Sequence, residues 1–233
     1  MSDLSQSFGH ALNLLLRFDS NLWEIVALSF RVSLSAVMIA TVLGLPIAAA
    51  LAIKNFPGHG AVRILVDTLM AMPPVVIGLV VYLLLSRAGP LGIFGLLYTP
   101  SAMIIAQSLL ITPIIVALGL QVFVPLWAKF GDQFRLFNTT TRQNLFTLVH
   151  EGRHQLLTVW LAGFGRAIAE IGAVMMVGGN IDHYTRVMTT AIALETSKGN
   201  LEMAMALGLV LMLMALAINI LAHSFSRLQQ SPN

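Results

Sequence analysis

The amino-acid sequence predicts an all-α integral membrane protein with five transmembrane helices. Of its 233 residues, 57% are hydrophobic and only 10% are charged, and the mean hydropathy is +0.85. Soluble domains carry about 25% charged residues, so a soluble protein with a large core is a poor alternative. Apolar segments long enough to cross ~30 Å of hydrocarbon as helices recur along the chain.

Composition also excludes several classes of function. The net charge of +3 comes from scattered groups and no basic run exists, so we expect no nucleic-acid partner. The chain has no cysteine, which excludes disulfides, thiolate zinc sites and cysteine nucleophiles. The first residues lack a basic region and a small-residue cleavage site, so we expect no cleaved signal peptide.

The chain divides into an N-terminal segment (residues 1–21), a single transmembrane domain (22–225) and a short cytoplasmic tail (226–233). Apolar residues recur at helical spacing in the N-terminal segment, but it is too short and polar to span, so we expect an amphipathic interfacial helix. In the second span Pro73 and Pro74 predict a broken or bent helix, because proline removes backbone hydrogen bonds. The spans are expected at about residues 23–53, 62–85, 101–127, 155–177 and 201–224.

The longest polar stretch, residues 129–154, is predicted to be cytoplasmic because it carries four lysines and arginines. This placement puts the N-terminus outside and the C-terminus in the cytoplasm. Asn138 suits a left-handed turn, and Thr140 with Gln143 has the spacing of a capping box. We therefore expect a helix, a tight turn and a short amphipathic helix in this stretch.

The fourth span carries two full charges, Arg166 and Glu170, whose spacing places them on one helical face. Charged groups in hydrocarbon are costly and rarely without a role. One interpretation is a structural ion pair, either between these two residues or from Arg166 to another helix through a residue such as Asp67. The other is that Arg166 biases a pathway toward anions. We favour the structural role, because an isolated arginine in a pathway would trap an anion.

Residues His150 to His154 match the H-E-x-x-H pattern of zinc hydrolases, which raises the alternative of an intramembrane zinc metalloprotease. A catalytic zinc needs a third protein ligand, and no suitable carboxylate motif follows on a later span. Gly152 also sits inside the pattern, where a rigid ligand helix favours a better helix former. We interpret the match as coincidence and expect no metal site and no catalytic residue.

The polar stretch and the fourth span resemble the permease subunits of type I ATP-binding-cassette (ABC) importers. In the E-A-A-x-x-x-G motif of that family, Asp132 falls at the glutamate, Gln133 and Phe134 at the alanines, and Asn138 at the glycine. The run Gly163-Phe-Gly-Arg-Ala-Ile-Ala-Glu-Ile-Gly172 is similar to oxyanion permeases for molybdate, tungstate and sulfate. Its continuation to Lys198 is most similar to tungstate permeases.

The resemblance implies the type I importer permease fold, with a cytoplasmic coupling helix, in the cell inner membrane. It implies a homodimer that binds two copies of an ABC ATPase and receives an oxyanion from an extracytoplasmic binding protein. The substrate would be tungstate, with molybdate or sulfate as alternatives, moved by alternating access. Such a subunit is not an enzyme and holds no cofactor, since ATP and magnesium bind the ATPase.

The resemblance also implies roles for particular residues. Contact with the ATPase is expected at Asp132, Arg135, Asn138, Thr139, Thr140, Thr141 and Arg142. A gate or a contact with the binding protein is one role for Asn180, Arg186 and Thr189, and an ordinary solvated loop charge is the alternative for a residue such as Arg186.

Overall fold

A computed structural model describes residues 13–17, 19–54 and 56–228 of the chain, with side chains to residue 225. Within these ranges the regular structure is helical and no β-strand occurs, in agreement with the expected all-α class. Most of the N-terminal segment expected to lie at the interface, residues 1–12 and 18, is outside the described residues, as are residues 229–233 of the tail.

Nine helices longer than a single turn follow in the described ranges from residue 20 onward. In chain order they are α1 (Ser20–Ile53), α2 (His59–Ala71), α3 (Pro74–Leu85), α4 (Pro100–Leu136), α5 (Thr141–Glu151), α6 (Arg153–Ile168), α7 (Gly172–Gly178), α8 (Met188–Lys198) and α9 (Leu201–Leu228), with a short 3₁₀ turn (Gly92–Phe94) before α4.

Three of these helices, α1, α4 and α9, are each long and apolar enough to cross a membrane. The pairs α2–α3 and α6–α7 pass the same test only as bent pairs, with angles of 97° and 56° between their parts. Counting each bent pair as one span gives the expected five spans. The bend in the second span, predicted from Pro73 and Pro74, is confirmed.

The core lies along the contact between α1 and α4, which is the most extensive helix pair in the described chain. The small Gly119 on α4 faces Ala48 on α1, where an added Cβ would lie 3.0 Å from the alanine Cβ. Small residues of this kind let membrane helices approach closely and gain van der Waals contact. Helix α9 packs on α6 and α8, and α3 packs on α7.

Two stretches differ from their sequence-based expectations. The fourth span is not continuous, because α6 ends at Ile168 and α7 begins only at Gly172. The connection of residues 178–200, left between the fourth and fifth expected spans, contains the helix α8. That helix forms because Met188 and Ala191 are fully buried against the bundle, a contact that local sequence does not reveal.

Candidate functional site

The first candidate site is the α4–α5 corner, defined here as residues 132–151. Helix α4 ends at Leu136, and Asn138 adopts a left-handed conformation with φ of 50°, which confirms the predicted turn. The capping box is also confirmed: the backbone N–H of Thr140 donates to the Gln143 side chain at 2.8 Å, and the Gln143 N–H donates to the Thr140 hydroxyl at 3.4 Å. The corner therefore holds a definite shape through contacts between near neighbours.

The threonines and charges expected to contact an ATPase fall into two groups. The Thr139 hydroxyl lies 2.5 Å from Asn144 Oδ1 and 3.1 Å from the Phe134 carbonyl oxygen, so it fastens the turn. Asp132 and Arg135 form a 3.3 Å ion pair that is almost fully exposed. Thr141 and Arg142 are exposed on the first turn of α5. These four exposed residues, unlike Thr139, are accessible to another protein.

Three large apolar side chains of the corner are exposed, and two of them, Leu136 and Phe137, are not singled out by the sequence. Leu136, Phe137 and Phe146 are 80%, 78% and 75% exposed. The amphipathic pattern predicts an apolar side of α5 that includes Phe146 and lies on the cytoplasmic surface. The buried positions of α5 are Asn144 and Leu148, so Phe146 lies on its exposed side. Large apolar side chains clustered on an exposed surface are characteristic of interaction sites.

The zinc-like pattern lies where α5 meets α6. Glu151 is the last residue of α5, and the His150 ring nitrogen Nε2 lies 2.9 Å from Arg153 Nη1. An added Cβ at Gly152 would lie 3.0 Å from Val122 and 3.1 Å from Leu126, so the glycine lets this junction approach α4. In the described part of the chain no three His, Cys, Asp or Glu side chains are grouped to hold a metal ion.

The second candidate site is the charge pair at the end of α6. Arg166 Nη1 donates to Glu170 Oε2 at 2.5 Å, and the other carboxylate oxygen accepts the Ala173 N–H at 3.1 Å. The Glu170 side chain is 3% exposed and the Arg166 side chain 37%. The suggested partner Asp67 is not used: it is exposed on α2 and lines a cavity between α2 and α4. Of the two structural alternatives, the structure therefore shows the pair between Arg166 and Glu170 and not one with Asp67.

Side chains from two other helices bond the backbone at the break between α6 and α7. Gln107 on α4 donates its Nε2 to the Ala167 carbonyl at 2.9 Å, and Thr189 on α8 donates its hydroxyl to the Glu170 carbonyl at 2.8 Å. Broken membrane helices persist only where such groups satisfy the freed backbone. Thr189 is buried in this position.

The third candidate site is the connection of residues 179–187 between α7 and α8. Asn180 has φ of 52° and donates its side-chain amide to the Thr190 carbonyl at 3.4 Å. Arg186 Nη1 donates to Asp182 at 2.6 Å, and His183 Nδ1 lies 2.8 Å from Glu24 on α1. The hydrogen bond with Glu24 and the charges of Glu24 and Asp182 raise the pKa of His183 above its ordinary value. The connection is thus tied to the beginning of α1.

Several known proteins are similar in sequence to this chain. No family model matches the sequence. A probable anion ABC transporter permease of Haloferax volcanii is 41% identical over 87% of this chain and 89% of its own length. The tungstate uptake permease TupB of Peptoclostridium acidaminophilum is 39% identical over 96% of this chain and 98% of its own. TupB of Campylobacter jejuni is 36% identical over 71% of this chain and 70% of its own.

These relatives match the chain along most of its length. Their names agree with the resemblance drawn from residues 132–198, and the helices of the structure agree with a multi-pass membrane protein. The chain belongs to the family of ABC transporter permeases that includes these anion and tungstate proteins.

Proposed function

We propose that this chain is the membrane-spanning subunit of an ATP-driven importer of a tetrahedral oxyanion, with tungstate as its substrate. The choice of tungstate as substrate rests on the 39% identity to a tungstate permease over 96% of the chain. A molybdenum permease and a sulfate permease are only 26% and 27% identical, over 70% and 76% of the chain. Molybdate and sulfate are therefore the less favoured substrates.

The α4–α5 corner is the proposed contact with the ATPase. Its exposed Phe137 and Phe146 are suited to insert into an apolar groove, as amphipathic helices do in partner proteins. Its exposed ion pair and Arg142 provide a polar rim around them. Two copies of the ATPase, holding ATP and magnesium, would bind the two corners of a permease homodimer.

The corner lies on the cytoplasmic side of the cell inner membrane in this proposal, with the N-terminus outside. Helix α6 begins immediately after the corner and ends at the break before α7. Movement of the corner is thus transmitted to a hydrogen-bonded joint in the bundle, where α4 and α8 also attach. Alternating access requires such a joint, while the oxyanion arrives from a binding protein on the opposite side.

Transport by the assembled system tests the substrate. Cells or vesicles containing the chain with its co-purifying ATPase and binding protein should accumulate labelled tungstate only in the presence of ATP. Unlabelled tungstate should compete more strongly than molybdate, and molybdate more strongly than sulfate. Accumulation driven best by sulfate would reject tungstate as the substrate, and accumulation without ATP would reject the importer.

A second experiment tests the ATPase contact. Phe146→Ala and Phe137→Ala should each reduce the amount of ATPase that co-purifies with the chain, because each removes a large exposed apolar anchor. Phe94→Ala is the matched control, since Phe94 is also exposed but lies in the connection between α3 and α4. Equal recovery of the ATPase with all three variants would place the contact elsewhere.

A further inference from the structure

A cavity of about 380 Å³ lies between the beginning of α1 and the connection of residues 179–187. Glu24, Leu28 and Arg31 line it from one face of α1, since they are four and three residues apart. His183 and Arg186 line it from the connection, and Pro100 from the start of α4. Its volume corresponds to roughly a dozen water molecules at about 30 Å³ each, which is room for a small hydrated anion.

The cavity brings together two arginines that are far apart in the sequence. Arg31 is exposed and makes no ion pair with any residue that the structure describes. It lies 11 residues into α1 from Ser20, or about 16 Å along the helix axis, on the face that lines the cavity. An arginine that lines a cavity and makes no ion pair is a candidate for a ligand contact.

Arg186 is held in place but is incompletely bonded. Its Nη1 donates to Asp182 at 2.6 Å, and its side chain is only 13% exposed. Its Nε is buried and has no hydrogen-bond partner among the described residues. A guanidinium presents donors in a fork that matches the oxygens of an oxyanion, and the Asp182 contact fixes the orientation of that fork.

The carboxylate of Glu24 limits how strongly an anion is held. It lines the same cavity, but His183 Nδ1 lies 2.8 Å from it and shields it when protonated. The charged groups around the cavity are therefore two arginines and a titratable histidine against Glu24 and Asp182. Passage through a transporter requires a site that attracts its substrate without retaining it, and this mixture of charges meets that requirement.

We propose that Arg31 and Arg186 form a weak oxyanion-binding site at this end of the bundle, where the permease first receives its substrate. The proposal rests on the import function and orientation given above, and it assigns a ligand to residues of the first helix and of the α7–α8 connection. The recognised chemistry is a tetrahedral dianion held by two guanidinium groups, with no metal involved.

Binding of inorganic tungstate to the purified full-length chain in lipid nanodiscs tests the site, measured by calorimetry up to about 1 mM. Arg31→Gln and Arg186→Gln should each weaken binding about tenfold, since each removes a charged donor. Arg31→Lys should lie between wild type and Arg31→Gln because it keeps the charge but loses the fork. Arg87→Gln is the matched control, an exposed arginine that lines a different cavity.

Glu24→Gln should change binding in the opposite direction and tighten it, because the competing carboxylate charge is removed. This change of sign separates an electrostatic site from general damage to the fold. Wild-type affinity in both Arg31→Gln and Arg186→Gln, or no binding by the wild-type chain up to the limit, would overturn the site. Tungstate uptake by the assembled wild-type system decides the import function independently of these results.

Discussion

One carboxylate oxygen of Glu170 accepts a hydrogen bond from the Arg166 guanidinium at 2.5 Å, and the other accepts one from the backbone N–H of Ala173. One buried side chain thus pairs Arg166 near the end of α6 and accepts one N–H from the first turn of α7. The carboxylate lies at the beginning of the short helix α7 and bonds its backbone there. The pair holds together the two parts of a broken span.

Replacement of Glu170 by glutamine should destabilise the protein by about 1 to 3 kcal/mol. The amide keeps an acceptor for Ala173 but leaves Arg166 without a counter-charge, and loss of one partner from a buried pair is costly. The cost is reduced because Arg166 is 37% exposed. The midpoint temperature of thermal unfolding (Tm) in detergent measures the effect.

Asp132→Asn is the control for this prediction, because its ion pair with Arg135 is exposed and should contribute less than about 1 kcal/mol. The double variant Arg166→Gln with Glu170→Gln should recover part of the lost Tm. An unchanged Tm in Glu170→Gln would mean that the pair does not support the broken span.

Gly78→Ala should destabilise the protein by about 1 to 3 kcal/mol through overpacking. An added Cβ on Gly78 of α3 would lie 2.7 Å from the Ala173 Cα on α7, and a backbone atom cannot move aside as a side-chain end can. The matched control is Gly208→Ala in α9, where nothing lies within 4 Å of the added Cβ. That change should raise Tm slightly, because alanine favours a helix more than glycine. A fall in both variants would show that contact between α3 and α7 is not the cause.

Asn138→Ala should cost about 1 to 2 kcal/mol, because alanine is disfavoured at the φ of 50° that this turn requires. Asn138→Gly should leave Tm nearly unchanged, since glycine adopts a left-handed conformation freely. Both variants remove the same side chain, so their difference isolates the backbone. Similar Tm values for the two would contradict the assigned turn.

The contact between His183 and Glu24 should contribute stability that depends on pH. The pKa of His183 is raised above its ordinary value of 6.5, mainly by the hydrogen bond with Glu24, then by the charges of Glu24 and Asp182, while burial and Arg186 oppose the shift. A raised pKa in the folded state means that the contribution is complete below pH 6.5 and is lost as the pH rises through the folded pKa.

The Tm difference between wild type and His183→Gln, followed from about pH 5 to about pH 9, measures this dependence. The wild-type advantage should be largest in acid and disappear in alkali. Glu24→Gln should remove most of this dependence, because Glu24 contributes the largest causes of the raised pKa of His183. An advantage that grows with pH would contradict the assigned contact.

Local features of this protein follow from the sequence because their partners are near neighbours. Apolar length marks the membrane-spanning segments, paired prolines mark the bend at residues 72–74, and Asn138 with Thr140 and Gln143 marks the α4–α5 corner. Each depends on groups within a few residues of one another, so a pattern along the chain contains the whole interaction. The resemblance to oxyanion permeases is likewise contained in contiguous runs of sequence.

Only the tertiary structure decides the break between α6 and α7 and the cavity lined by Arg31 and Arg186. The break is bonded by Gln107, 60 residues from Ala167, and by Thr189, 19 residues from Glu170. Met188 is the first residue of α8, and its backbone N–H donates to the hydroxyl of Ser29, 159 residues away. A helix in a membrane can break wherever distant side chains replace its lost hydrogen bonds, and no local pattern records which side chains those are.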